Sequence, residues 1–321
     1  MVSRTVIKPL LEIKNLSVLL KTRNDICKAI DDLSLNVFEG EILGLVGESG
    51  AGKSMTGSAI LGLIEPPLYI SEGNIFLKGK LISDHPERVR GSLISMIFQD
   101  PLVSLNPLKT IGEQLIKTIR THLDITYADA LTRGKSLLRD VGIDPSRINE
   151  YPHTFSGGMR QRVIIALALA PEPSLIIADE PTTALDVSVQ AQILNLLKKL
   201  CRERGTSIIL ITHDMGVISE TTDRVAVLYS GRLAEIGKTS EVLKQPQHPY
   251  TAGLVASTPN IDASSFQKKL FQIPGSMPDI NDIPYGCAFH PRCGHAIKKC
   301  HLEKPPGFDD QVFCWLKEKI R

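Results

Sequence analysis

The run Thr154-Phe155-Ser156-Gly157-Gly158-Met159-Arg160-Gln161-Arg162-Val163 reads as a small turn with paired glycines that opens an apolar helix. Upstream stands Gly47-Glu48-Ser49-Gly50-Ala51-Gly52-Lys53-Ser54, a full G-x-x-x-x-G-K-S match. It lies between an apolar strand over residues 41–46 and a helix expected over 55–63. Downstream, Leu175-Ile176-Ile177-Ala178-Asp179-Glu180 reads as a buried strand that ends in two acids. The Ser-Gly-Gly turn placed between a phosphate loop and an acidic strand is a far narrower pattern than either of its neighbours alone.

Working outward, alternation predicts strands over 11–18 and 33–37, with further strands over 73–77 and 95–98. Spacings of three and four make 111–141 helical, and 163–169 and 188–203 read the same way. Strands return over 175–178, 207–212 and 225–228. The expected architecture is therefore α/β, a parallel-sheet core with a helical insertion between about residues 100 and 170. Composition shifts after Tyr250 toward Pro, Lys and Cys, which predicts a main domain over 1–250 and a small irregular one over 251–321.

The bulk properties exclude several classes. The chain has 321 residues, 42% hydrophobic and 22% charged, the balance of an ordinary globular protein. A net charge of +2 gives no electrostatic footprint for nucleic acid. No apolar run approaches the roughly 18 to 20 residues that a membrane span needs, and residues 1–9 have no apolar secretory segment. A cytosolic chain is expected, with any membrane contact made through a partner. Six cysteines in such a chain argue against a disulfide framework, and four of them, Cys287, Cys293, Cys300 and Cys314, crowd into the tail. Cys27 and Cys201 read as core residues.

Glycines let the loop turn its N–H groups around a β-phosphate, and the following helix adds its positive end. Lys53 would reach the β- and γ-phosphates, and the Ser54 hydroxyl would ligate Mg²⁺. A carboxylate at the end of a buried strand is costly without a cation, and the Mg²⁺ water shell would supply one to Asp179. Glu180 would act as general base on the attacking water. Gln99, after the strand at 95–98, is placed to contact the metal or the lytic water. His213, after the strand at 207–212, is placed to donate to the γ-phosphate.

In this order the motifs resemble those of the ABC ATPase family: Walker A (Gly47 to Ser54), Q-loop (Gln99), signature (Ser156, Gly157, Gly158), Walker B (Leu175 to Asp179, then Glu180), D-loop (Ala184-Leu185-Asp186) and switch histidine (His213). The resemblance implies a P-loop NTPase, RecA-like core with an antiparallel β subdomain. It also implies that two such domains pair head to tail, each signature turn closing over the ATP held by the other's loop. Phe98-Gln99-Asp100-Pro101, Ser104-Leu105-Asn106-Pro107, Gly112-Glu113-Gln114-Leu115, His248-Pro249-Tyr250-Thr251 and Gly286-Cys287-Ala288-Phe289-His290-Pro291-Arg292-Cys293 resemble the oligopeptide/dipeptide importer branch. Met159 after the glycine pair looks like the D-type subunit, which implies a separate F-type ATPase as partner. The family stacks adenine on an aromatic residue. The matching position here is Leu20, and no aromatic occurs from Met1 to Val37, which leaves stacking without its usual ring.

The same resemblance implies a [4Fe–4S] cluster on Cys287, Cys293, Cys300 and Cys314. Zinc stays open as an alternative, with His290, His295 and His301 as substitute ligands, although no C-x-x-C knuckle is present. The function implied is an ATPase on the cytoplasmic face of the inner membrane. Together with two transmembrane permease subunits and an extracytoplasmic binding protein, it would power uptake of di- and oligopeptides, with no nucleic acid involved. Nickel, an antimicrobial peptide or a glycoside are alternative cargoes. A non-transport ABC ATPase lacks support, since neither a long coiled-coil insertion nor a second ATPase half is present.

Overall fold

The structure, a computed structural model, describes residues 8–23, 25–100, 104–183, 185–258, 271–309 and 311–320. The chain forms two compact units, one of Met1–Val37, Leu43–Ser83 and Ile211–Arg321, the other of Phe38–Ile42 and Asp84–Leu210.

The first unit begins with strands β1 (Leu11–Lys21) and β2 (Ile26–Val37), then β3 (Ile42–Val46), helix α1 (Lys53–Ile60), β4 (Leu68–Leu77) and β5 (Lys80–Leu81). An antiparallel sheet runs in the order β2-β1-β4-β5, which fits the antiparallel subdomain that the resemblance implies. Irregularities in β1 between Ile13 and Val18 put Asn15 at φ 51°. Gly73 in β4 (φ 100°) has to lack a side chain, because a Cβ there would stand 2.5 Å from the Leu16 Cα. All three long strands exceed the stretches that alternation marks out, since the bulge breaks the period-two pattern.

The second unit holds β6 (Ile94–Ile97), α2 (Ile111–His122), α3 (Tyr127–Asp140), α4 (Gly157–Leu169), β7 (Leu175–Asp179), α5 (Val187–Arg204) and the start of β8 (Ser207–Thr212). β6 and β7 pair in parallel, Ile94 opposite Leu175 and Ile97 opposite Ala178. The expected helical stretch 111–141 is two helices, because Thr126 starts a second one. Its hydroxyl accepts the Asp129 N–H, just as Thr110 caps α2 in a reciprocal capping box with Glu113. α4 starts at Gly157, ahead of the apolar run, because the Ser156 hydroxyl caps it.

The first unit resumes with α6 (Met215–Thr221), β9 (Arg224–Tyr229), β10 (Arg232–Lys238), α7 (Thr239–Lys244), α8 (Pro249–Ala256) and, in the tail, α9 (Lys298–Leu302). β3 pairs in parallel with β9, and β10 returns antiparallel through Ser230-Gly231, both at positive φ as a tight hairpin requires. The tail from residue 271 is built of short turns. Its Gln311 and Phe313 bond to Ile236 and Ala234, covering the edge of β10. Its Ala288 and Phe289 join a core with Val46, Ile218, Val227, Tyr229 and Tyr250. Among the described residues no helix is long and apolar enough to cross a membrane.

Candidate nucleotide-binding and hydrolysis site

In the first unit, all five residues of β3 are buried, and the strand delivers the chain into the loop Gly47–Ser54. Gly52 caps α1 in the left-handed region (φ 97°), which side chains with a Cβ avoid. Ser49, Gly50 and Ser54 are exposed, and the first turn of α1 carries no acid, so its positive end is open to an anion. Lys53 is 7% exposed and donates through Nζ to the carbonyls of Gly47 (2.8 Å) and Glu48 (2.9 Å). The Glu48 N–H donates to the Tyr250 hydroxyl at 2.9 Å. Burial holds that phenol above its ordinary value, which keeps it a neutral acceptor. Arg292 from the tail donates to the Glu48 carboxylate at 3.0 Å. His213 follows β8 and is exposed, and Asp214 beside it caps α6.

In the second unit, Asp179 ends β7 at 7% exposure. Glu180 follows in a left-handed conformation, φ 46°, which a residue other than glycine adopts only under local constraint. The carboxylate Oε2 of Glu180 accepts from Gln99 Nε2 at 3.1 Å and from Thr183 Oγ1 at 2.9 Å. Gln99 itself is exposed just after β6. Sequence reading misses Thr183, whose only sign is its position in the turn after the acids.

Ser156 and Gly157 are exposed at the start of α4, and Gly158 and Met159 are half-buried. The Ser156 hydroxyl accepts the Met159 N–H at 3.4 Å, and Arg147 lies 3.4 Å from the Met159 sulfur. Asp186 caps α5, accepting from the Val189 N–H at 2.9 Å. That backbone bond, with the Ser188 hydroxyl, holds its carboxyl below the usual range. Pro101 and Ala184, parts of the Q-loop and D-loop motifs, lie outside the described residues. Leu20 lies within β1 opposite Cys27, half-buried.

The four tail cysteines all belong to the first unit, and the Cys287 N–H donates to the Cys300 carbonyl at 2.9 Å. Burial pushes the Cys287 thiol up to about 11. Like charge from Cys300, Cys314 and Cys293 adds in the same direction. Among the described residues no three His, Cys, Asp or Glu side chains close around a point as a single metal ion requires. His290 Nδ1 lies 2.9 Å from the Cys287 carbonyl, and its ring centre is 4.2 Å from that of His301. Cys27 and Cys201 are buried, and burial takes the Cys201 thiol to about 12.

Comparison with known proteins agrees with this layout. Residues 30–183 match the "ABC transporter" family, and residues 234–300 match "Oligopeptide/dipeptide transporter, C-terminal region". The chain is 47% identical over 306 residues to the "Oligopeptide transport ATP-binding protein OppD" of Bacillus subtilis (strain 168), covering 93% of this chain and 85% of that protein. It is 44% identical over 320 residues to the "Dipeptide transport ATP-binding protein DppD" of the same organism, 96% and 95% covered. A solved structure described as "Dimeric structure of a post-hydrolysis state of the ATP-binding cassette MJ0796 bound to ADP and Pi" superposes with a TM-score of 0.64 at 30% identity, over 71% of this chain and 98% of that one. The chain belongs to the ABC transporter ATPases, in the oligopeptide/dipeptide transporter branch, among relatives named as D-type ATP-binding subunits.

Proposed function

We propose that this protein hydrolyses ATP to drive import of di- and oligopeptides through a membrane transporter. The observation that carries the reading is the hold on Glu180, a carboxylate aimed by Gln99 and Thr183 from a constrained backbone directly after a buried acid. Gly47 to Ser54 bind the phosphates, with Lys53 as the cation for the β- and γ-phosphates. Glu180 takes the proton of the attacking water, Gln99 orients that carboxylate, and His213 donates to the γ-phosphate. Ser54, Gln99 and Asp179 offer only oxygen donors when Gln99 ligates through its amide oxygen, the set that Mg²⁺ takes. When bound, Mg²⁺ neutralises developing charge on the phosphates.

Ser156, Gly157, Gly158 and Met159, with the cap of Asp186 behind them, serve the ATP of a partner. The exposed start of the 13-residue helix α4 supports that role. The partner in this reading is an F-type ATPase. Two permease subunits would contact the stretch around Gln99 to Gln114, an extracytoplasmic binding protein would deliver the peptide, and the chain would sit on the cytoplasmic face of the inner membrane.

For the tail cysteines Cys287, Cys293, Cys300 and Cys314 the reading is a [4Fe–4S] cluster, with zinc as the alternative. A cluster spreads its thiolates over several irons rather than around one ion, so it does not need three side chains converging on a single point. When bound, its iron offsets the charge that burial makes costly on these thiolates.

The test is reconstitution of the whole transporter in proteoliposomes, with mass spectrometry of the ligand that its binding protein carries. Peptide-loaded binding protein is expected to raise ATP hydrolysis. A binding protein that carries nickel or a glycoside, with no response to peptide, would overturn the cargo assignment.

A further inference from the structure

The phosphate loop contains its own electrostatic problem. Glu48 is the second residue of a loop built to receive a triphosphate, and a carboxylate there opposes the incoming charge. Its Oε1 is buried without a hydrogen bond, and Oε2 is held by Arg292 Nη1 at 3.0 Å. The rest of the guanidinium is tied to the protein as well. Nε donates to the Pro274 carbonyl at 2.8 Å and Nη2 to the Gly275 carbonyl at 3.3 Å. Nη1 also reaches the Tyr229 hydroxyl at 3.4 Å. It stacks near the rings of Tyr229 and Phe289, 5.8 and 6.0 Å from their centres. The Arg292 side chain is 7% exposed, so this is a buried cation fixed in direction rather than a loose surface pair.

Arg292 comes from the cysteine-rich tail, 244 residues along the chain from Glu48 and directly before Cys293. The Tyr250 hydroxyl takes the N–H of the same Glu48. Lys53 holds the carbonyl of that residue from inside the loop. The backbone and side chain of one loop residue are thus fixed from three directions, two of them supplied from beyond residue 249.

Resting on the assignment of Gly47 to Ser54 as the ATP loop, we propose that Arg292 is a positioning residue for nucleotide binding. It neutralises Glu48 and fixes the loop, so that the triphosphate binds well only while the tail is folded against it. The tail thereby becomes a condition of ATP uptake rather than an appendage. Loss of tail structure around Cys293 withdraws the guanidinium and leaves a bare carboxylate in the phosphate loop.

The test measures binding of the fluorescent analogue mant-ATP with Mg²⁺ to the full-length protein, well below the melting temperature of each variant. R292M is expected to weaken binding about tenfold, the size of one charge acting over roughly ten ångströms at an effective dielectric near 20. R292K keeps the charge and should stay within about threefold of the original protein. In E48Q/R292M the offending charge is gone, and binding should recover by about fivefold or more over R292M. A packing role alone would lower the melting temperature and give no such recovery.

R292M that binds like the original protein overturns the proposal, as does a double variant that binds no better than R292M. If R292M does not melt cooperatively, a folded R292K that binds more than about tenfold more weakly overturns it instead. Lys53→Ala separates the two readings. If it binds mant-ATP normally, the assignment of the loop itself fails, whereas normal binding by R292M alone sinks only the tether.

Discussion

Gln99 Nε2 donates to Glu180 Oε2 across 3.1 Å, joining positions 81 residues apart at the ends of two parallel strands, β6 and β7. The bond gives the acid a fixed direction. Glu180→Gln removes the base and should lower hydrolysis by about 100-fold or more while leaving ATP bound between the paired subunits. Size-exclusion chromatography with ATP reads the trapped pair, and full turnover would refute the assignment.

Gln99→Ala should act differently. The carboxylate remains but loses its aim, so kcat should fall about tenfold with KM nearly unchanged, the pattern of an interaction made in the transition state. A rise in KM at constant kcat would instead make Gln99 a nucleotide-binding residue.

His248 makes stability depend on pH. It is fully buried, and burial lowers its ring from 6.5 to about 4. Nδ1 accepts the Tyr250 N–H at 3.0 Å, which only an unprotonated nitrogen can do, and Glu235 holds the His248 N–H at 2.9 Å. The unfolded chain takes up the proton below about pH 6.5 and the folded chain only near 4, so stability is present above that range and falls as pH drops through it, by about 3 kcal/mol in all. Denaturant titrations from pH 7 to 4 measure the slope. His248→Asn, which keeps a capping acceptor, should flatten it.

Ser156→Arg places bulk and charge at the exposed start of α4. In the assembled pair it should cut hydrolysis at the partner's phosphate loop by about tenfold or more, with little change in mant-ATP binding by this subunit alone. Loss of this chain's own binding would mean that the turn does not serve a partner.

Cys293→Ser should remove the brown absorbance near about 400 nm from protein prepared without oxygen, a property of iron–sulfur clusters. Colourless original protein that contains zinc would favour the single-ion alternative.

Most of the core was legible because its signals are local. Strand β3, the glycine loop and α1 succeed one another without a gap, and the acids end a run of apolar residues. Boundaries were less so. α4 begins at its cap, Ser156, rather than at the apolar run. The β9–β10 hairpin turns on Ser230-Gly231, a two-residue signal that marks a turn but not the strand beyond it. The tail looked irregular and is so in backbone, yet its Phe289 lies in the same core as Val46.

By itself the sequence determined the family, the order of the chemical groups and which strand or helix end carries each. These are properties of short segments, fixed by periodicity, caps and glycine. Only the tertiary structure decided that Gln99 and Thr183 share Glu180, and that Tyr250 and Arg292 hold Glu48. Such pairings depend on loops closing over long stretches of chain, and loop closure leaves no local signal in residue order.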